Sequence, residues 1–342
     1  MDEIHIGSGI IHKISRLIVV RQQGSIALIT DQAVEKLLRA KIAKILPEKL
    51  VKIVLPKGEQ TKNIETVQRI WQKLLENGCD RQTLVINLGG GVISDVGGFA
   101  ASTYMRGINF INVPTTLLAQ VDASVGGKTG INFAGVKNLI GIFNQPLAIF
   151  CDINFLSTLP DREFTEGFTE AIKHGIIADK AYFDFVTAKK PKDFNKKELE
   201  EIVVGSVNIK AGIVKGDEKD AGKRKILNFG HTIGHAVEAL SQETDKPLLH
   251  GEAISIGMAI EAKISQLLGL ISKEEVNRIK KALDNAGLPL QMPDFPTEAI
   301  LTKIKSDKKS EEGKINWTLV TGIGKAIINQ QVDNQILKKA LI

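Results

Sequence analysis

The sequence has 342 residues, enough for two domains or one large α/β unit at roughly 100–200 residues per domain. Hydrophobic residues make up 43% and charged residues 25%, which excludes a disordered, collagen-like or fibrous chain. Forty-five Lys and Arg against 39 Asp and Glu leave a net charge of +6, an excess that suits a small anionic substrate as well as a nucleic acid or a membrane surface. Lys189, Lys190, Lys192, Lys196 and Lys197 fall in one polar stretch and read as solvated surface. Cys79 and Cys151 have no partner at metal-ligand or CxxC spacing and read as buried thiols of a reducing compartment. Met1-Asp2-Glu3 lacks the basic and apolar regions of a signal peptide, and no run reaches about 18 apolar residues. The expectation is a cytoplasmic protein that meets neither membrane nor nucleic acid.

In chain order, Ile26-Ala-Leu-Ile-Thr30 predicts a buried strand ending at Asp31. A helix follows with Val34, Leu37, Leu38, Ile42 and Ile45 on one face and Pro47 beyond its end. Lys52-Ile-Val-Leu55 is the next strand. Val67, Ile70, Trp71, Leu74 and Leu75 then recur at helical spacing until Gly78 stops them. Leu84-Val-Ile-Asn-Leu88 and Ile108-Asn-Phe-Ile-Asn-Val113 are further strands, and strands joined by helices argue for a parallel sheet covered on both faces. Beyond Thr158-Leu-Pro160 helical patterns dominate, over 161–188, 196–216, 228–241, 252–269 and 273–286. Ile315-Asn-Trp-Thr-Leu-Val320 reads as part of one isolated strand pair. The pattern gives a nucleotide-type α/β domain over 1–157 and a mainly helical domain over 158–342.

Gly89-Gly-Gly-Val-Ile-Ser-Asp95 follows a strand and opens a helix, where glycine lets backbone approach a phosphate and the helix N-terminus offers N–H donors. Ser94 occupies the third glycine's place of a G-x-G-x-x-G motif, so a plain tight turn explains the run equally well. Asp31, Lys57-Gly-Glu-Gln-Thr-Lys62 and Pro114-Thr-Thr116 also follow strands, and ligands of open parallel sheets bind at those ends. Asp31 and Glu59 suit ribose hydroxyls; Thr115 and Thr116 suit phosphate. In the second half Asn228, His231 and His235 sit at i, i+3 and i+7 and are expected on one helical face; two histidines at i, i+4 suit zinc. His250 precedes a helix nearby, and Glu170 shares a face with Lys173. A His/His/Glu set leaves an open coordination position, as a catalytic zinc requires. Arg106, Lys128, Lys137, Lys173, Lys210 and Arg224 suit an anionic substrate bearing phosphate and carboxylate.

Gly89-Gly-Gly-Val-Ile-Ser-Asp95, Arg106-Gly107, Val113-Pro-Thr-Thr-Leu-Leu-Ala-Gln-Val-Asp-Ala-Ser-Val-Gly-Gly-Lys128, Gly135-Val-Lys-Asn138, Leu227-Asn-Phe-Gly-His-Thr-Ile-Gly-His235 and His250-Gly-Glu252 together closely resemble the 3-dehydroquinate synthase family. The resemblance spans nearly the whole chain and weakens only in about the first 20 and last 50 residues. It implies a Rossmann-like parallel-sheet domain followed by a mainly α-helical domain. It further implies conversion of 3-deoxy-D-arabino-heptulosonate 7-phosphate to 3-dehydroquinate plus phosphate, a lyase step of the shikimate pathway. The implied course is transient oxidation by NAD, β-elimination of phosphate, return of the hydride, and an intramolecular aldol.

By this resemblance NAD lies along Asp31, Lys57, Gly58, Glu59, Gln60, Thr61, Lys62, Gly91, Val92, Ile93, Ser94, Asp95, Thr115, Thr116, Lys128, Lys137, Phe155, Leu156, Ser157 and Thr158. A divalent metal, zinc or cobalt, takes Glu170, His231 and His250, which replaces the pairing of His231 with His235 that spacing suggests. Arg106, Lys128, Asn138, Lys210, Arg224, Asn228 and His235 hold the substrate, Lys173 and Asp122 stand near the reacting carbons, and Lys308 or Lys309 in Ser306-Asp-Lys-Lys309 closes over the carboxylate. The family is homodimeric, with the arginine at the Arg106 position reaching the neighbouring subunit's site. The competing readings are a metal-dependent polyol dehydrogenase of similar fold, which releases NADH and needs no phosphate site, and another sugar-phosphate cyclase, which departs from the intact Asp122-Ala-Ser-Val-Gly-Gly-Lys128 loop.

Overall fold

Strands β1 (Glu3–Gly7), β2 (Ile26–Asp31), β3 (Val51–Leu55) and β4 (Leu84–Gly89) alternate with helices α1 (Lys13–Arg21), α2 (Gln32–Ile42), α3 (Ile64–Glu76) and α4 (Gly91–Thr103), and β5 (Phe110–Pro114), β6 (Lys128–Phe133), β7 (Val136–Phe143) and β8 (Ala148–Asp152) follow without a further α-helix between them. The computed structural model describes residues 3–21, 24–47, 49–220, 222–307 and 315–341; Lys308, Lys309 and the side chain of Ile42 lie outside the described residues. Six strands form one parallel sheet in the order β1-β8-β5-β4-β2-β3. Its inner strands β2, β4, β5 and β8 are buried at every position, because both faces are covered.

Helix α3 shows how the sequence makes this layer. Asn63 caps it by accepting from the Thr66 N–H at 2.8 Å, and Val67, Ile70 and Leu74 are fully buried. Burying each contributes about 1.5–3 kcal/mol. Trp71 packs partly and donates from Nε1 to the Ala100 carbonyl, whereas Leu75 is 67% exposed, so the apolar face is narrower than its spacing predicts. Leu37 likewise points outward while Leu38 is buried.

Strands β1, β6, β7 and β8 are not among the predicted ones. β8 is a short run of four apolar residues ending in Asp152, which periodicity alone cannot tell from helix. β6 and β7 form an antiparallel hairpin whose glycines, Gly130 and Gly141, face one another in register; β7 is exposed throughout.

The chain divides into two compact units, Met1–Pro160 with Lys196–Val207, and Asp161–Asn195 with Asn208–Ile342. The second contains α5 (Asp161–Ala178), α6 (Lys180–Val186), the later part of α7 (Lys196–Lys215), α8 (His231–Ser241), α9 (His250–Leu267), α10 (Lys273–Asn285), α11 (Thr297–Asp307) and α12 (Asn334–Leu341). Strands β9 (Trp317–Gly322) and β10 (Lys325–Gln330) supply the isolated antiparallel pair. The helix expected over 161–188 breaks at Asp179, whose carboxylate caps α6 by accepting from the Tyr182 N–H. The helix expected from 228 starts at His231, because Gly230 takes a left-handed φ of 81° after a 3-10 turn over Lys223–Asn228. Asn228 therefore leaves the helical face assigned to it; His231 and His235 keep it.

Helices α8 and α9 touch through backbone. A Cβ on Gly257 would lie 1.9 Å from the Gly230 carbonyl oxygen and 2.7 Å from the Gly234 nitrogen. Gly257→Ala must push α9 off α8, at an expected cost of at least about 1–3 kcal/mol. Urea denaturation measures it, and an unchanged midpoint contradicts the close approach.

Candidate metal centre and nucleotide-binding edge

Helices α5, α8 and α9 bring Glu170, His231 and His250 together, with one donor atom from each within 4.8 Å of the others. Both histidines start their helices, so the α8–α9 contact fixes the spacing of the imidazoles, whose centroids are 5.6 Å apart. Each Nε2 lies 3.9 Å from Glu170 Oε1. The other ring nitrogens are engaged: His231 Nδ1 with the Phe229 carbonyl at 3.2 Å, and His250 Nδ1 with Glu238 Oε2 at 3.4 Å. Glu170 is fully buried, and its Oε2 is ion-paired to the buried Lys173 ammonium. Its Oε1 has no hydrogen-bond partner among the described residues and faces the two Nε2 atoms. A buried carboxylate oxygen left without a donor is costly, and a divalent cation removes that cost. Burial holds His231 well below the usual imidazole value, with Lys173 and the neighbouring histidines adding to the effect, which keeps its lone pair available.

Four missed acidic residues support this centre. Glu238 faces His250. Glu261, fully buried on α9, accepts from the Gly230 N–H at 2.6 Å and the Ile233 N–H at 3.0 Å, capping the turn that presents His231. Glu166 accepts from the Gly251 N–H, and Glu252, clamped by Arg162, accepts from the Leu249 N–H at the start of α9. Glu238 had a sequence signal in its i+3 and i+7 spacing from His235 and His231, and Glu252 closes the His250-Gly-Glu252 motif; Glu261 and Glu166 depend on packing. Burial raises the Glu166 carboxyl to about 7, against the opposing pull of the Gly251 N–H and His250. A carboxyl raised from 4.5 to about 7 holds its proton more tightly folded than unfolded. Its contribution to stability is present below about 4.5 and is lost as pH rises through about 7. Glu166→Gln should flatten that decline in metal-free protein; urea midpoints measured across the interval check it, and an unchanged slope contradicts it.

A second set, His235, Glu238 and His250, also meets the distance requirement. His235 lies 5.1 Å from His231 and 6.1 Å from His250 between ring centroids, so it borders the first set. Arg224 and Asn228 sit in the turn entering α8. Arg224 is buried, its backbone N–H donating to Asp217 Oδ2 and its guanidinium to the Glu218 carbonyl. Lys210 is buried on α7.

In the first unit the parallel strands put Asp31, residues 57–62, Gly89–91, Thr115–116 and residues 152–158 at the same sheet edge. Gly90 caps α4 with no side-chain acceptor, and Thr115 N–H ties to the Gly89 carbonyl at 2.9 Å. Lys62 donates to Asp95 Oδ2 across this edge, and Asn132 donates to Glu59 Oε1 at 2.9 Å. Asp31 Oδ1 caps α2 through the Ala33 and Val34 N–H groups, and Thr116 Oγ1 accepts from Ala119 N–H. Phe155 and Leu156 are interior, Phe155 in the core beneath the edge. Asp122 lies in a π-helical turn, Lys128 opens β6, and Lys137 and Asn138 lie on exposed β7. Arg106 is exposed, at a left-handed φ of 69°.

The 3-dehydroquinate synthase N-terminal family matches residues 52–166, and the C-terminal family matches 167–310. A 3-dehydroquinate synthase of Ruminiclostridium cellulolyticum is 42% identical over 94% of this chain and 90% of its own length. The chain belongs to the 3-dehydroquinate synthase family. A second family member, from Thermodesulfovibrio yellowstonii, is 47% identical over 84% of this chain and 81% of its own. Among solved structures, a 2-deoxy-scyllo-inosose synthase complexed with carbaglucose-6-phosphate, NAD+ and Co2+ superposes with a TM-score of 0.89 at 25% identity, covering 99% of this chain and 95% of that one. This chain thus carries both the glycine-led sheet edge and the Glu/His/His cluster.

Proposed function

We propose that this chain converts 3-deoxy-D-arabino-heptulosonate 7-phosphate into 3-dehydroquinate and phosphate, with NAD and a divalent metal, zinc or cobalt. Glu170 carries the reading: its buried Oε1, without a hydrogen bond, faces two imidazole nitrogens in a chain of this family. The donor set fits a borderline-soft cation with an open coordination position. When bound, the metal polarises substrate hydroxyls and NAD exchanges hydride.

The remaining roles are read onto the geometry. Glu170, His231 and His250 hold the metal. Lys173 pairs with Glu170 and, with Asp122, stands by the reacting carbons. Arg224 offers phosphate a guanidinium already held by the Glu218 carbonyl on a backbone held by Asp217, so little freedom is lost on binding. Lys210, Asn228, His235, Lys128, Asn138 and Arg106 orient phosphate, carboxylate and hydroxyls. NAD is assigned to the sheet edge of the first unit: its pyrophosphate to the start of α4, its ribose to Asp31 and Glu59, with Thr115, Thr116, Lys137, Ser157 and Thr158 around it. Phe155 and Leu156 shape that edge by packing beneath it.

We place the protein in the cytoplasm as a homodimer. Buried free thiols at Cys79 and Cys151 suit a reducing compartment, and among the described residues no helix is long and apolar enough to cross a membrane. Exposed Leu139, Ile142 and Phe143 on β7 favour association with a second copy. Incubation with the heptulosonate phosphate, NAD and zinc, with the carbocycle identified by mass and NMR, tests the activity. Turnover of a different phosphorylated sugar, and none of this one, assigns the chain to the other cyclases.

A further inference from the structure

We propose that Glu238 is a positioning residue for His250, an inference that rests on the proposed Glu170–His231–His250 site. Glu238 is 5% exposed and projects from α8 toward the start of α9, where Oε2 lies 3.4 Å from His250 Nδ1. The opposite nitrogen, Nε2, lies 3.9 Å from Glu170 Oε1. A neutral imidazole carries one proton. With that proton on Nδ1 and donated to Glu238, the Nε2 lone pair faces Glu170 and is free to bind a metal. The hydrogen bond also fixes the ring's rotation and makes its lone pair more basic. His231 obtains the same fixation from the Phe229 carbonyl; at His250 the acceptor is a side chain.

The same carboxylate belongs to the overlapping set with His235 and His250, in which it would be a direct ligand. That alternative spends the carboxylate that lies against His250 Nδ1 and leaves Glu170 Oε1 uncompensated, so the positioning role is favoured.

Glu238→Met keeps the side-chain volume and removes the acceptor, whereas Glu238→Gln retains a neutral acceptor for Nδ1–H. Zinc and cobalt, each alone, are titrated into metal-free full-length chain against a chromophoric chelator, with near-ultraviolet circular dichroism reporting the fold. The expected result is one ion per chain throughout, bound about 10–100-fold more weakly by Glu238→Met, with much of the loss recovered in Glu238→Gln. Unchanged affinity in Glu238→Met overturns the proposal. So does loss of stoichiometric binding in both variants, which makes Glu238 a ligand. Glu170→Ala is titrated alongside: if it binds the ion as tightly as the unaltered chain, the site itself is wrong.

Discussion

His231→Ala and His250→Ala each lose the bound metal and about three orders of magnitude in turnover, whereas His235→Ala keeps the metal and loses turnover. The metal is expected to supply several kcal/mol of charge stabilisation, and each 1.36 kcal/mol is about tenfold in rate. The split among the three follows from the geometry. Each of the first two presents Nε2 3.9 Å from Glu170 Oε1, while His235 stands beside them on α8, one turn past His231. The overlapping set of His235, Glu238 and His250 predicts the opposite split, with His231→Ala retaining the ion. Metal analysis of the three purified variants decides it. A metal content in His235→Ala as low as in His250→Ala contradicts the assignment.

Lys173→Met strips the counter-charge from a carboxylate with no solvent access. Lys173 and Glu170 are both buried and paired at i, i+3 on α5. Removing one partner of such a pair costs about 3–5 kcal/mol, because the other charge stays buried without compensation. The metal-free variant should lose stability on that scale and also lose turnover. Zinc should restore part of the stability, since the ion puts two positive charges against the same carboxylate. Urea denaturation with and without zinc measures both effects. Equal stability of variant and unaltered chain without metal contradicts the coupling.

The sheet was legible where apolar runs end in loop signals, as at Leu84–Gly89 before the three glycines, because a strand buried on both faces needs an unbroken apolar run. It was illegible at β6 and β7, where polar and glycine residues hide a hairpin whose edges are exposed. Histidine spacing correctly put His231 and His235 on one face but could not show that His250, 19 positions beyond His231, stands as near to Glu170 Oε1 as His231 does. That arrangement depends on Gly257 and Gly230 letting two backbones touch, a contact between elements that no periodicity records. The resemblance supplied the ligand trio; Glu261 and Glu166 became visible only with the packing.

The expected course is oxidation and reduction within one visit of the substrate while phosphate departs. It is tested by recording the NADH absorbance band and free phosphate in one cuvette, with the unaltered chain, zinc, NAD and the heptulosonate 7-phosphate. The expected result is one phosphate released per substrate consumed, with no net change in the NADH band. Steady NADH accumulation in step with substrate loss, with no phosphate appearing, contradicts it and assigns the chain to the polyol dehydrogenases.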